Sequence, residues 1–269
     1  VAETFGWEIE RIYADGRREN LRDRVVEESP LRITVNGAPL VALMRLPGRD
    51  RQLAVGFCLT ERVITSVDDI LILRECERGG EGGKGAVGGG LVELQVRGEA
   101  DTGRFAATRL VRTGCGGADL GHLEELPVER MDSRASFPAS LMHRLGEELT
   151  RRQEVFRATG GTHGAAVFSG VGELLEMAED VGRHNALDKV VGACALLRIP
   201  LGDKVLFISG RVSYEMVLKA VRAGFPCLAS LAAPTRLGLE LAREAGLTVV
   251  GFADGRRCNV YTHGWRMEG

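Results

Sequence analysis

Cys115 is the residue whose surroundings most invite chemistry. It lies in Thr113-Gly114-Cys115-Gly116-Gly117-Ala118. A thiol packed for its bulk has no use for three neighbouring glycines, whereas a reactive thiolate must reach a partner and withdraw. Ala118 stands three residues on, so no second thiol is placed for exchange within the loop. A single thiol can still carry a persulfide; the bland alternative is a free cysteine in a glycine turn. Three further stretches set arginine beside small or polar residues: Arg183-His184-Asn185, Ser209-Gly210-Arg211 and Phe252-Ala253-Asp254-Gly255-Arg256-Arg257. Guanidinium groups bind phosphate in a bidentate manner. Each stretch alone reads as a solvated loop. Brought together, they would suit an anionic, nucleotide-like ligand.

The elements around them decide whether that happens. Residues 165–168 and 174–177 are short apolar runs joined by a glycine-containing turn, a hairpin pattern. After Gly182 the period changes: Ala186, Leu187, Val190, Val191, Ala193, Cys194 and Leu197 recur at helical spacing. Arg183-His184-Asn185 therefore stands where a strand hands over to a helix, whose first amides are unpaired and partly positive. Strand and helix then alternate: strand 204–208, helix 214–223, strand 226–231, helix 237–245, strand 247–252 and a short strand 259–261. Gly224 and Gly246 follow the last two helices, where glycine takes a left-handed cap cheaply. This order predicts a mostly parallel sheet with helices packed on it. In open parallel sheets ligands bind beyond the carboxyl ends of the strands; Ser209-Gly210-Arg211 and Phe252 to Arg257 should lie on that edge, as should Arg183-His184-Asn185 if its strand is parallel.

The first half reads as β-rich. One or two strands with a turn at Asp15-Gly16 are followed by a hairpin, 31–35 and 39–44, around Asn36-Gly37. A helix at 51–61 and strands at 70–73, 91–96 and 104–111 complete it. The tract GGEGGKGAVGGG at 79–90 lacks the GK[ST] ending of a phosphate loop and reads as a flexible connector. Residues 113–137 are the expected linker. A helix is expected from 138 to 156, since proline suits a first helical turn. The expected domains are 1–135, ending in the Cys115 loop, and 136–269.

The 269 residues are enough for one large and one smaller core. A net charge of −2 gives no argument for nucleic-acid binding, and no apolar run is long enough to span a membrane. With no signal pattern, the cytoplasm is the expected location. Six scattered cysteines without a CxxC pair argue against a disulfide scaffold or a cysteine-rich zinc site. His163 and His184 invite a zinc reading, and the strand–helix order is compatible with a deaminase layout. A zinc deaminase needs His-x-Glu and Pro-Cys-x-x-Cys. His163 is followed by Gly164 and Ala165, and Pro226-Cys227 by Leu228, Ala229 and Ser230. Zinc hydrolysis is rejected and no zinc is expected. His163 then reads as a turn cap and His184 as a loop-orienting group, with Asp180 and Asp188 pairing Arg183 and Lys189.

The stretches TGGTHGAAVF, EDVGRHNALDKVVG, SGRVSYEMVLKA and AAPTRLGLELAREAGLTVVGF, with VNGAPLVALMRLPGRDRQLAVGFCLTE near the start, closely resemble the formate dehydrogenase accessory family FdhD, over about residues 30–263. The resemblance implies an α/β (α+β) protein: a cytidine-deaminase-like three-layer domain without the zinc site, plus a smaller β-rich N-terminal domain. It implies a sulfurtransferase-type carrier that moves sulfur from a cysteine desulfurase to the molybdenum cofactor, in its bis-guanine-dinucleotide form, before insertion into formate dehydrogenase. The family's loop commonly reads Cys-Gly-x-Cys, of which only Cys115 is present. The family's cofactor-binding segment falls on Phe252 to Arg257, which identifies the anionic ligand as a guanine nucleotide end. A homodimer is compatible with such a fold. The rival readings are a chaperone that binds the cofactor without covalent transfer and a residual deaminase-like hydrolase, the latter opposed by the missing ligands.

Overall fold

The computed structural model describes residues 4–77, 89–98 and 130–269. Cys115 and its glycine loop, the strand expected at 104–111 and nearly all of the glycine tract lie outside the described residues. Strands β1 (Thr4–Ile12) and β2 (Arg18–Val26) form a separate antiparallel pair. Strands β3 (Ser29–Val35) and β4 (Ala38–Arg45) make the hairpin expected at Asn36-Gly37. Both turn residues have positive φ, 50° and 80°, which a two-residue turn matching the twist of its strands requires. With β5 (Ile70–Glu77) and β6 (Gly90–Val96) they form a sheet ordered β4-β3-β6-β5. Leu31, Ile33, Val35, Val92 and Leu94 share one buried cluster with Leu53, Ala54 and Phe57 of helix α1 (Asp50–Thr60).

A short strand β7 (Phe137–Pro138) leads into helix α2 (Ala139–Arg152) and then α3 (Glu154–Thr159). The single helix expected over 138–156 is thus broken at Gln153. The Glu179 carboxylate accepts hydrogen bonds from the Val155 and Phe156 amides at 2.9 and 2.8 Å, capping a new helix start. Next come β8 (His163–Phe168), β9 (Leu174–Asp180), α4 (Arg183–Leu196), β10 (Val205–Ile208), α5 (Tyr214–Ala223), β11 (Cys227–Ser230), α6 (Arg236–Ala245), β12 (Thr248–Gly251), β13 (Asn259–Val260) and β14 (Met267–Glu268). Gly224 and Gly246 take the left-handed caps, φ 86° and 79°.

The main sheet has the order β13-β12-β11-β10-β8-β9. It is mixed rather than mostly parallel. Only β10–β11 and β11–β12 pair parallel; β8–β9, β8–β10 and β12–β13 pair antiparallel. Tight returns such as the β8–β9 turn can only produce antiparallel neighbours, whereas the crossovers through α5 and α6 produce parallel ones. Alternation along each strand feeds two cores. Ala165, Val167, Leu206, Ile208, Leu228 and Val249 face the layer of α4, α5 and α6. Ala166, Phe168, Val205, Phe207, Ala229 and Val250 face Leu141, Met142, Leu145 and Leu149 of α2. The result is helix, sheet and helix in three layers.

The two sheets are joined through α1 and α4, which cross at glycines. A β-carbon on Gly56 would lie 1.8 Å from the Asp188 carbonyl oxygen, and one on Gly192 would lie 1.9 Å from the Gln52 carbonyl oxygen. Only backbone fits at this crossing. Among the described residues no helix is long and apolar enough to cross a membrane.

Candidate functional site

Strand directions put the candidate residues on one edge. β9 is antiparallel to β8, which is antiparallel to β10, so β9 runs the same way as β10, β11 and β12. The carboxyl ends of these four strands and the start of β8 therefore share one edge. Arg183-His184-Asn185, Ser209-Gly210-Arg211 and Phe252 to Arg257 all follow strands at that edge, with His163 beside them.

Serines stitch the turns together. Ser209 accepts a hydrogen bond from the Gly164 amide on Oγ at 2.9 Å, and its own amide donates to the Gly164 carbonyl at 2.9 Å. Fully buried Ser230 donates from Oγ to the Gly210 carbonyl at 2.7 Å and also accepts from the Ala232 amide. Its carbonyl accepts from the Ala253 amide at 3.0 Å. Ser230 went unread in the sequence; the signal was a hydroxyl closing an otherwise apolar strand.

Beneath Arg183 lies an anchor that is also structural. Asp180, fully buried, pairs with Lys189 at 2.8 Å and accepts from the Gly182 amide and from Asn185 Nδ2, both at 3.0 Å. Asn185 Nδ2 also donates to the Met44 carbonyl at 2.8 Å, and the Leu46 amide donates to Asp180 at 3.2 Å. Asn185 is thus engaged within the fold and holds the strand–helix junction to the end of β4. The charge pairs differ from those expected. Asp188 pairs with Lys219 at 2.9 Å, and no described carboxylate pairs with Arg183. The Nε of Arg183 is buried and makes no hydrogen bond among the described residues.

His184 Nε2 lies 2.8 Å from the Glu215 carboxylate. Its hydrogen bond, outweighing burial, holds the Glu215 carboxyl below the usual range. His163 is lowered too, which for an imidazole favours the neutral form: burial, then the positive charge of Arg183, holds it below its ordinary 6.5.

The turn after β12 is organised by Asp254, whose Oδ1 accepts from the Arg256 amide at 3.1 Å and the Arg257 amide at 3.4 Å. The first of these bonds depresses the Asp254 carboxyl. Phe252 sits at φ 54°, a left-handed conformation costly for an aromatic residue and found where a surrounding structure imposes it. Ala253 is fully buried, so only its backbone can reach a ligand. Gly255 has φ 88°, and a β-carbon there would lie 2.5 Å from Glu147 Oε1. Arg256 and Arg257 are exposed, and the Arg257 guanidinium stands 5.7 Å from the Phe252 ring. The edge presents the exposed cations Arg211, Arg256 and Arg257 with Arg183 half-buried beside them, a surface for an anion.

Three cysteines are chemically quiet. Burial pushes the thiols of Cys58, Cys194 and Cys227 up to about 12. Cys227 sits in the α2-side core, away from the edge that carries His163.

Comparison with known proteins follows this geometry. The model of the family described as FdhD/NarQ matches residues 26–268. A protein of Sulfolobus acidocaldarius named sulfur carrier protein FdhD is 37% identical over 257 residues, covering 94% of this chain and 95% of its own. The protein of the same name from Mycobacterium tuberculosis is 39% identical over 250 residues, covering 89% and 90%. A crystal structure described as a formate dehydrogenase accessory protein from Desulfotalea psychrophila matches with a TM-score of 0.77 over 99% of this chain and 100% of that one. At 24% identity it shows the fold.

Proposed function

Because the chain belongs to the FdhD/NarQ family, we propose that it is a sulfur carrier that sulfurates the molybdenum cofactor, in its bis-guanine-dinucleotide form, for formate dehydrogenase. The Cys115 thiolate attacks the outer sulfur of a cysteine desulfurase persulfide. A new S–S bond forms, and the desulfurase cysteine leaves as thiolate. In the second step Cys115 recovers its thiolate with both electrons of that bond, and the acceptor metal supplies the pair that binds the sulfur. The exchange takes place in the cytoplasm.

The observation that carries this reading is the convergence of the three arginine-bearing turns on one edge, with Ser230 bonding the turn at Gly210 to that at Ala253 and Ser209 bonding it to the start of β8. Phe252 to Arg257, Arg183-His184-Asn185 and Ser209-Gly210-Arg211 are read as the seat of the guanine nucleotide's phosphates. The three layers are read as a cytidine-deaminase-like arrangement put to binding rather than hydrolysis.

Intact-protein mass spectrometry after incubation with a cysteine desulfurase and L-cysteine tests the transfer. A gain of about one sulfur mass, lost in Cys115→Ala, is expected. A gain that survives in the variant would place the sulfur on another cysteine. One observation favours a second reading: Ala118 stands where the family's loop commonly has its second cysteine. A chaperone that binds the cofactor without covalent transfer would bind guanosine diphosphate yet gain no sulfur under any desulfurase treatment.

A further inference from the structure

His163 has no role in the reading above, yet its ring stands among that site's cations. A β-carbon built on Gly210 would lie 3.4 Å from His163 Nδ1 and 3.5 Å from Arg183 Cδ. Gly210 thus lies against both side chains, which makes the His163 ring and the Arg183 stem neighbours. The charged groups around the imidazole are Arg183 and His184 from α4, Arg211 from the β10–α5 turn and Asp180 from β9. The negative charge nearby is already committed. Asp180 is held by Lys189, Asn185 and the Gly182 amide, and Glu215 by His184. No carboxylate among the described residues pairs with Arg183 or Arg211, and no described residue hydrogen-bonds the His163 ring. Among the described residues no carboxylate is left to offset these cations.

We propose that His163 completes a phosphate subsite with Arg183 and Arg211, and that a phosphate bound there takes up a proton on this imidazole. The inference rests on the nucleotide reading above and adds a ligand-contacting residue to it. Its physical basis is charge balance. Without an anion, burial and the two guanidinium groups keep the ring neutral near pH 7. A phosphate offsets both guanidinium charges and offers an oxygen to the protonated ring. The protonated form is thereby favoured, and affinity must rise as pH falls. One such proton steepens binding by at most about tenfold per pH unit.

The test is isothermal titration of guanosine diphosphate into the parent protein and His163→Gln between pH 8.5 and 5.5. The ligand's own terminal phosphate titrates equally in both experiments, so the difference between the proteins reports the imidazole. The parent is expected to tighten more steeply than the variant as pH falls, the two converging at pH 8.5. Arg183→Gln is expected to weaken binding at every pH. Superimposable pH profiles for parent and His163→Gln would overturn the inference while leaving the nucleotide reading intact. No binding by the parent at any pH would overturn the nucleotide reading and this inference with it. If circular dichroism shows His163→Gln to be unfolded, His163→Asn takes its place under the same criteria.

Discussion

Asp254 and Asp180 show how a carboxylate can shape a candidate site by bonding its backbone. Asp254 is exposed and spends its side chain on two amides of its own turn. Replacing it with alanine should release the left-handed turn and weaken guanosine diphosphate binding by about tenfold, the worth of one to two hydrogen bonds. The melting temperature should not move, and calorimetric titration beside a thermal melt separates the two effects. Asp180 is the opposite case. Asp180→Asn removes the charge facing fully buried Lys189 and should cost about 3–5 kcal/mol, as uncompensated buried ammonium groups do; urea unfolding measures it. The thiols give a third check. With their thiols held up near 12, Cys58, Cys194 and Cys227 should resist iodoacetamide at pH 7 until the protein is unfolded, as peptide mapping would reveal.

Helices α1, α3 and α4 hold what local patterns could not disclose. The crossing of α1 and α4 admits no side chain at Gly56 or Gly192. Alanine at either should destabilise by about 1–3 kcal/mol through overpacking, although alanine favours an isolated helix. In the sequence Gly192 merely interrupts an apolar period. The contact it serves is with Gln52, 140 positions away, and periodicity carries no information about a partner. The break at Gln153 was hidden for a related reason: Glu179, which caps α3, is distant in the chain. By contrast α5, β3–β4 and the two glycine caps were legible, because turn chemistry and amphipathic spacing act within a few residues. Glu179→Ala should cost about 1–2 kcal/mol and fray α3, as a loss of helical ellipticity would show.

Across the whole molecule, the placement of the arginine-bearing turns was readable and their wiring was not. Strand and helix alternation put two arginine-bearing turns on one edge, and the third there on condition that its strand ran parallel. That edge survives the sheet's mixed character because the β8–β9 hairpin reverses twice and returns β9 to the common direction. The bonds of Ser230, the diversion of Asp188 to Lys219 and the internal commitment of Asn185 all depend on contacts across layers. Sequence spacing cannot report these. Helix α4 begins at Arg183, over the Asp180 anchor, and meets α1 backbone to backbone at Gly192. A helix pinned at its first turn and again along its length cannot open by fraying. Its amides should therefore exchange with deuterated water only when the entire protein unfolds, making α4 the slowest-labelling segment and its protection a direct gauge of global stability.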